Sequence, residues 1–334
     1  MKAIVYTEYG PPDVLQLKEV EKPAPKDDEV LIRIHATSVN FGDIAARNYG
    51  NISHRDFFMP LPFYLIGGLQ FGFSKPKNTI LGNELAGEIE AVGKDVTSFK
   101  TGDQVFGYPG PQMRCHAEYR CLPEDGPLGM KPANMSYEEA AVVPYSALMA
   151  IDLLRKVGIQ SGQQVLINGA SGGIGSGVLQ LAKHYGAEVA AVCSTPRMEF
   201  VKALGADKVI DYTKEDFTQT GETYDLIVDV LGKSSFSRSK GSLKEAGKYV
   251  MTSFKMRDFV DMLRTSFGGR KKAICAILVA RPEDLVLTKQ LVEAGELKAV
   301  IDKSFPLEQT ADAHRYVESG QRKGHVVITL EHNN

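Results

Sequence analysis

The chain is poor in the features that mark metal, disulfide, membrane or nucleic-acid proteins, and each shortage removes a class of function. Cysteine is scarce. Its four residues, Cys115, Cys121, Cys193 and Cys275, are scattered with no CxxC pair, which leaves neither a disulfide framework nor a zinc knuckle. An excess of one charge is also absent. The formal net charge is −2, so there is no electrostatic footprint for nucleic acid or an anionic membrane. The opening Met1-Lys2-Ala3-Ile4-Val5-Tyr6 lacks the long apolar core of a secretory signal and reads as a strand. A cytoplasmic location is the expectation.

What is present is the balance of an ordinary globular protein, with 43% apolar and 24% charged residues. A chain of 334 residues exceeds what one core usually organises, so two domains are expected. The first stretch reads as strands, Ala3–Tyr6, Val14–Glu19, Glu29–Ala36 and Glu84–Val92, punctuated by Gly10-Pro11-Pro12 and Pro23-Ala24-Pro25. Many strands without intervening helices predict a β-rich, barrel-like domain. Near Pro132 the pattern changes. Ser136 and Glu139 form a capping box that starts a helix. From Gln164 onward short apolar runs alternate with helical segments, notably Ile174–Tyr185 and Arg197–Leu204. That alternation predicts a parallel sheet with helical crossovers. The last stretch predicts helices over Glu283–Ala294 and Ala311–Glu318, with strands over Val300–Phe305 and Val326–Leu330.

Phe57 to Phe73 carries no charge and six aromatics. Pro60, Pro62, Gly67, Gly68 and Gly72 interrupt it too often for a membrane span. Two readings stay open: a loop packed on the core or at a domain joint, and an apolar rim on a substrate pocket.

The strand Gln164–Asn168 runs into Gly169-Ala170-Ser171-Gly172-Gly173-Ile174-Gly175. Ile174, Val178, Leu181, Ala182 and Tyr185 then fall on one helical face, and Gly186 ends it. Glycines allow a tight turn and a close backbone approach to a pyrophosphate. The helix start offers free N–H groups and a positive dipole end to it. Ala170 to Gly175 are therefore candidate cofactor-binding residues. The second strand, Glu188–Cys193, is followed by Ser194-Thr195-Pro196-Arg197 without an acid. A carboxylate there would accept from a ribose 2′-OH; hydroxyls and a guanidinium suit a 2′-phosphate instead. The expectation is NADP(H), with Ser194 and Arg197 at the phosphate.

Here the sequence resembles the medium-chain dehydrogenase/reductase superfamily, and within it the zinc-free quinone-oxidoreductase (zeta-crystallin-like) branch. The likeness spans nearly the whole chain. It rests on Ser38-Val39-Asn40-Phe41-Gly42-Asp43, Gly82-Asn83-Glu84-Leu85-Ala86-Gly87, Gly102-Asp103-Gln104-Val105, the glycine-rich turn, Leu204-Gly205-Ala206-Asp207 and Asp229-Val230-Leu231-Gly232. The resemblance implies an α/β protein: a Rossmann doubly wound parallel sheet plus a GroES-like β-barrel catalytic domain, with the active site in a cleft. The expected division is residues 1–126 catalytic, 127–280 NADP(H)-binding, and 281–334 returning to the catalytic domain.

Zinc-dependent relatives carry ligands where this chain has Asn40, Asn83 and Glu84, and two of those three are not ligand-type side chains. No catalytic metal is expected. By resemblance Asn40 lies beside the nicotinamide, Asp43 holds its loop, and Tyr212, Leu231, Gly232, Thr252, Ser253, Phe254 and Lys323 approach the cofactor. A helix-cap or turn role for Asp43 is equally open. A threonine near Met149 and a tyrosine near Ala45, common in relatives, are missing. Tyr49 and Tyr64 are the phenols that could serve instead. The activity implied is hydride transfer from NADPH to a small apolar electrophile, a quinone or α,β-unsaturated carbonyl, by a homodimer. The alternatives are a zinc-free alcohol or aldehyde dehydrogenase and a non-catalytic NADPH-binding protein. For the dimer, Ile274–Val279 is the expected pairing strand.

Overall fold

A computed structural model describes residues 1–332. The chain divides into two compact units: Met1–Ile52, Gly67–Leu148 and Ala280–Asn334 form one, Ser53–Ile66 and Met149–Val279 the other.

The second unit is built on six strands: Gln164–Asn168 (β1), Glu188–Cys193 (β2), Lys208–Asp211 (β3), Tyr224–Asp229 (β4), Leu243–Met251 (β5) and Lys272–Cys275 (β6). They lie in the order β3-β2-β1-β4-β5-β6, every neighbouring pair parallel. This is the doubly wound order that reverses beside its first strand, where such folds bind ligands. The strands are buried almost throughout, as strands covered on both faces must be. Leu166, Val192, Ile210, Ile227 and Met251 are among the core residues.

The other unit centres on a seven-stranded sheet. Glu29–Val39 is its long central strand, paired antiparallel with Leu85–Val92, Tyr119–Pro123 and His325–Thr329. Ile301–Pro306 extends the sheet beyond His325–Thr329 in parallel; Gln104–Gly107 and Leu128–Met130 extend the other side. Val30, Ile32, Ile34, Leu85, Ile89 and Val326 fill its interior. This is the GroES-like arrangement, and with the parallel sheet it makes the chain the two-part α/β protein expected.

The Ser136 cap holds: its hydroxyl accepts from the Glu139 amide, and Glu139 accepts from the Ser136 amide. Three expectations need correction. The uncharged segment Phe57–Phe73 is not a plain loop, because Leu61–Phe71 is an α-helix. Pro62 sits in its first turn, where a missing N–H costs little. Gly67 and Gly68 meet a packing demand: a Cβ on them would come within 2.9 Å of the Tyr49 ring and 2.0 Å of the Phe73 ring. The strand expected over Val14–Glu19 begins only at Gln16, after a 3-10 turn at Pro12–Val14. The strand expected over Ile274–Val279 is Lys272–Cys275 instead. Past it, the Ile277 carbonyl accepts from Lys156 Nζ and the Val279 amide donates to Asp152, which draws the backbone out of the ladder. Helices at Val143–Val157 and Met256–Phe267 have no counterpart in the sequence reading, whereas the helix Phe41–Arg47 bears out the helix-cap role left open for Asp43. No helix of the described residues is long and apolar enough to cross a membrane.

Candidate functional site

The glycine-rich turn stands at the carboxyl end of β1. Gly169 has φ +93°, a value that favours glycine, and a Cβ there would strike Leu231 at 2.7 Å. A Cβ on Gly175 would lie 2.1 Å from the Gly169 carbonyl oxygen, so the helix Gly173–His184 packs on the turn only because that residue is glycine. Gly172 differs: the nearest atom to its Cβ would be the same oxygen at 3.6 Å. Gly172 is the helix N-cap and brings no side-chain cap. The amides of Gly173, Ile174 and Gly175 have no partner among the described residues. Three uncapped amides at a helix start, behind an open glycine, fit a pyrophosphate. Ala170 and Ser171 are buried in the turn beneath them.

At the end of β2 the chain gathers Ser194, Arg197 and Tyr212. The Arg197 amide donates to the Ser194 carbonyl, and the Tyr212 amide donates to the Cys193 carbonyl. The Tyr212 side chain is exposed; Ser194 and Arg197 are half-buried. One carboxylate does stand nearby, which sequence reading did not weigh. Asp211, opposite Cys193 in the ladder, accepts from the hydroxyls of Thr195 and Thr213 and from the Thr213 amide. Those donors bind it into the turn.

Leu231, Gly232, Thr252, Ser253 and Phe254 come together through a residue noticed only as part of a motif. Asp229, fully buried at the end of β4, accepts from the Leu231, Gly232 and Ser234 amides, the Asn168 amide group and the Tyr249 hydroxyl. It therefore sets the loop beside the turn. Gly232, with φ +62°, would meet the Ser253 carbonyl at 3.0 Å if it carried a Cβ. Thr252 Oγ1 donates to the Val230 carbonyl. Phe254 is buried against Phe63, and its amide donates to the Phe58 carbonyl. An acid closing the apolar run Leu226-Ile227-Val228, with a glycine three residues on, was the readable signal for Asp229. Beside this loop lies a cavity of about 240 Å³ with Asn168, Val192, Tyr212, Leu231 and Ser234 in its wall. Lys323 belongs to the other unit, where its amide donates to Asp302.

That other unit holds a buried polar cluster. Asn40 caps the helix Phe41–Arg47: its Oδ1 accepts from the Gly42 amide at 2.8 Å. Asp43 closes the box, accepting from the Asn40 amide through one oxygen and the Gly82 amide through the other, both at 2.9 Å. Asn40 and Asn83 exchange amide hydrogen bonds of 2.5 and 3.1 Å. Glu84 accepts from Ser38 Oγ, Asn40 Nδ2 and the Tyr145 amide. Asp43 and Glu84 are wholly inaccessible, and Asn40 and Asn83 nearly so. Burial pushes both carboxyl pKa values up to about 7, against the lowering effect of the donors around them. The Tyr108 and Tyr145 rings stack beside the cluster, centroids 5.1 Å apart. Asn40, Asn83 and Glu84 thus spend their polar atoms on one another, on the Ser38 hydroxyl and on the backbone. Among the described residues no three His, Cys, Asp or Glu side chains gather as a metal site. The sequence reading weighed Asn83 and Glu84 only as ligand positions and missed the amide pair, because residues 43 apart give no local signal of contact.

The two tyrosines differ in setting. Tyr49 is enclosed, with the Tyr9 and Phe71 rings against it. Tyr64, in the other unit, is half-buried between Phe57 and His54.

A doubly wound sheet with an open glycine-rich helix start, joined in one chain to a GroES-like unit, defines a dinucleotide-dependent dehydrogenase or reductase. Comparison with known proteins agrees. Residues 26–152 match the family model described as alcohol dehydrogenase GroES-like domain, and residues 204–328 that described as zinc-binding dehydrogenase. The 2-methylene-furan-3-one reductase of Solanum lycopersicum is 36% identical over 98% of this chain and 79% of its own length. The chloroplastic NADPH-dependent alkenal/one oxidoreductase of Arabidopsis thaliana is 34% identical with the same coverage. The solved quinone oxidoreductase of Coxiella burnetii superposes with a TM-score of 0.86, at 30% identity and 99% coverage of both chains. The chain belongs to the medium-chain dehydrogenase/reductase superfamily, in its zinc-free quinone-oxidoreductase branch.

Proposed function

We propose that the protein is an NADPH-dependent, zinc-independent reductase of quinones or α,β-unsaturated carbonyls. The observation that carries the reading is the uncapped helix start at Gly173–Gly175, together with a Ser194–Arg197 segment that carries no acid of its own and whose neighbouring carboxylate, Asp211, is bound by Thr195 and Thr213. Relatives named as alkenal/one and furanone reductases and as quinone oxidoreductases support the substrate class.

NADPH, when bound, supplies a hydride. The amides of Gly173, Ile174 and Gly175 hold its pyrophosphate. Arg197 and Ser194 hold the 2′-phosphate, with Tyr212 against the adenosine. Leu231, Gly232 and Thr252 to Phe254 flank the nicotinamide half, on a loop that Asp229 fixes. Lys323 approaches from the C-terminal segment. Asn40, whose amide is already engaged, acts by holding its loop in shape beside the nicotinamide, and Asp43 locks that loop. Conjugated substrates suit a site without a Lewis acid, because charge moves to an enolate oxygen that hydrogen-bond donors stabilise. Of the two phenols, half-buried Tyr64 is the better candidate to give a proton, and Tyr49 is the enclosed one.

The same reading includes the division at residues 126 and 280, a cytoplasmic location and a homodimer. Steady-state oxidation of NADPH and NADH with quinones, enones and aldehydes is the test. The expected result is turnover of quinones or enones with NADPH preferred, and loss of that preference in Arg197→Ala. Equal use of NADH, unchanged by Arg197→Ala, would overturn the cofactor assignment. Tight NADPH binding with no turnover of any acceptor would overturn the enzyme.

A further inference from the structure

The GroES-like unit carries a groove of about 600 Å³ that the reductase reading does not use. Arg114, Arg120 and Gln112 are among its polar residues, and Val20, Ile80 and Pro123 among its apolar ones. Arg120 lies on the strand Tyr119–Pro123, opposite Ile32, and is only 9% exposed. Its Nε has no hydrogen-bond partner, and its Nη2 reaches only the Gln112 side-chain oxygen, at 3.3 Å. Among the described residues no carboxylate lies within ion-pair distance of Arg120 or of the exposed Arg114. Of the two acids on the groove, Glu29 pairs with Lys26 at 3.3 Å and favours the Arg120 charge only from a distance, and Glu21 is exposed.

A guanidinium buried without a counter-charge is costly. Burial accordingly draws the Arg120 pKa below its usual value. The fork of an arginine matches a carboxylate in two parallel hydrogen bonds. Val20, Ile80 and Pro123 give an organic body attached to that carboxylate a surface that a bare inorganic anion does not use. The backbone beside the groove is also held in an uncommon shape. Met113 and Arg114 have φ of +55° and +76°, adjacent non-glycine residues in the left-handed half of the map. Their turn is tied to the buried cluster: the Gly110 amide donates to the Asn83 carbonyl, and the Cys115 amide to the Gly82 carbonyl.

We propose that this groove binds a small organic carboxylate, gripped by Arg120 and Arg114, with its apolar body against Val20, Ile80 and Pro123. The test is calorimetric titration of the full chain with benzoate, and separately with inorganic phosphate, at constant ionic strength. The expected result is one benzoate per chain, with affinity about tenfold or more weaker in Arg120→Gln. Phosphate is expected to bind less well than benzoate. No benzoate binding at millimolar concentration, or equal affinity in the wild type and Arg120→Gln, overturns the site. Phosphate binding where benzoate does not overturns the ligand class. Circular dichroism shows whether Arg120→Gln is folded. If it is not, Arg114→Ala, at an exposed position, replaces it: weaker benzoate binding supports the site and unchanged affinity overturns it.

Discussion

Both oxygens of Asp43 accept from backbone amides, Asn40 at one and Gly82 at the other. An asparagine offers one acceptor and one donor, so Asp43→Asn would set an amide N–H against a backbone N–H inside a site that water does not reach. Such a mismatch costs about 1–3 kcal/mol. Denaturant unfolding of the variant should show that loss as a lower midpoint at unchanged slope. Glu84 gives a prediction of different form. Its carboxyl is raised to about 7 and that of Asp43 to about 7 by burial, from ordinary values of 4.5 and 3.8. The folded protein keeps protons that the unfolded chain releases across that window. Stability is therefore greatest below the lower values and declines as pH rises toward 7. Glu84→Gln removes one of the two contributors. Its stability should fall less than that of the wild type between pH 5 and pH 7, measured by urea melts at each pH. An identical fall in both proteins would mean that Glu84 does not titrate there.

Among the elements, the turn that joins β1 to its helix contains two glycines with opposite duties. Gly175 makes the packing: with a Cβ 2.1 Å from the Gly169 oxygen, Gly175→Ala must push the helix off the turn. Overpacking of this kind costs about 1–3 kcal/mol, and the variant should lose both thermal stability and NADPH binding. Gly172 keeps the approach clear. Its Cβ meets nothing closer than 3.6 Å, so Gly172→Ala should melt near the wild type while NADPH, followed by its fluorescence, binds less tightly. If Gly172→Ala bound NADPH as well as the wild type, the phosphates would not sit over that residue. This element was legible in the sequence because its signals are local: an apolar run, glycines, one apolar helical face and a closing glycine. The Ser136–Glu139 cap was legible for the same reason. The helix Leu61–Phe71 was not, since Pro62, Gly67 and Gly68 read as breakers until Tyr49 and Phe73 are seen packed against those glycines. The same holds within the site. The glycine-rich turn could be read from its own residues, whereas Asn40–Asn83 and Asp229 act through partners that only the fold supplies.

At the scale of the whole molecule, the six-stranded sheet ends at β3 on one side and β6 on the other. The two edges are not equivalent. β3 begins at Lys208, which pairs with Glu222, and ends at Asp211, whose oxygens are bound into the next turn. Such charge blunts an edge. β6 reads Lys-Ala-Ile-Cys and leads into a segment where Ile277 and Val279 are 41% and 52% exposed. A short edge strand followed by exposed apolar residues is a surface that monomers ordinarily cover or avoid. In the homodimer proposed above, β6 meets its copy across a two-fold axis, and Ile277 and Val279 are buried in the same contact. Sedimentation of the wild type should then give twice the chain mass, and the double variant Ile277→Lys, Val279→Glu should give the monomer. The two new charges have opposite signs, so net charge is unchanged and dissociation reflects the loss of the apolar contact. A dimer that survives both substitutions would place the interface on another surface, and a monomeric wild type would remove the dimer from the proposal while leaving the proposed cofactor site to be judged by NADPH binding alone.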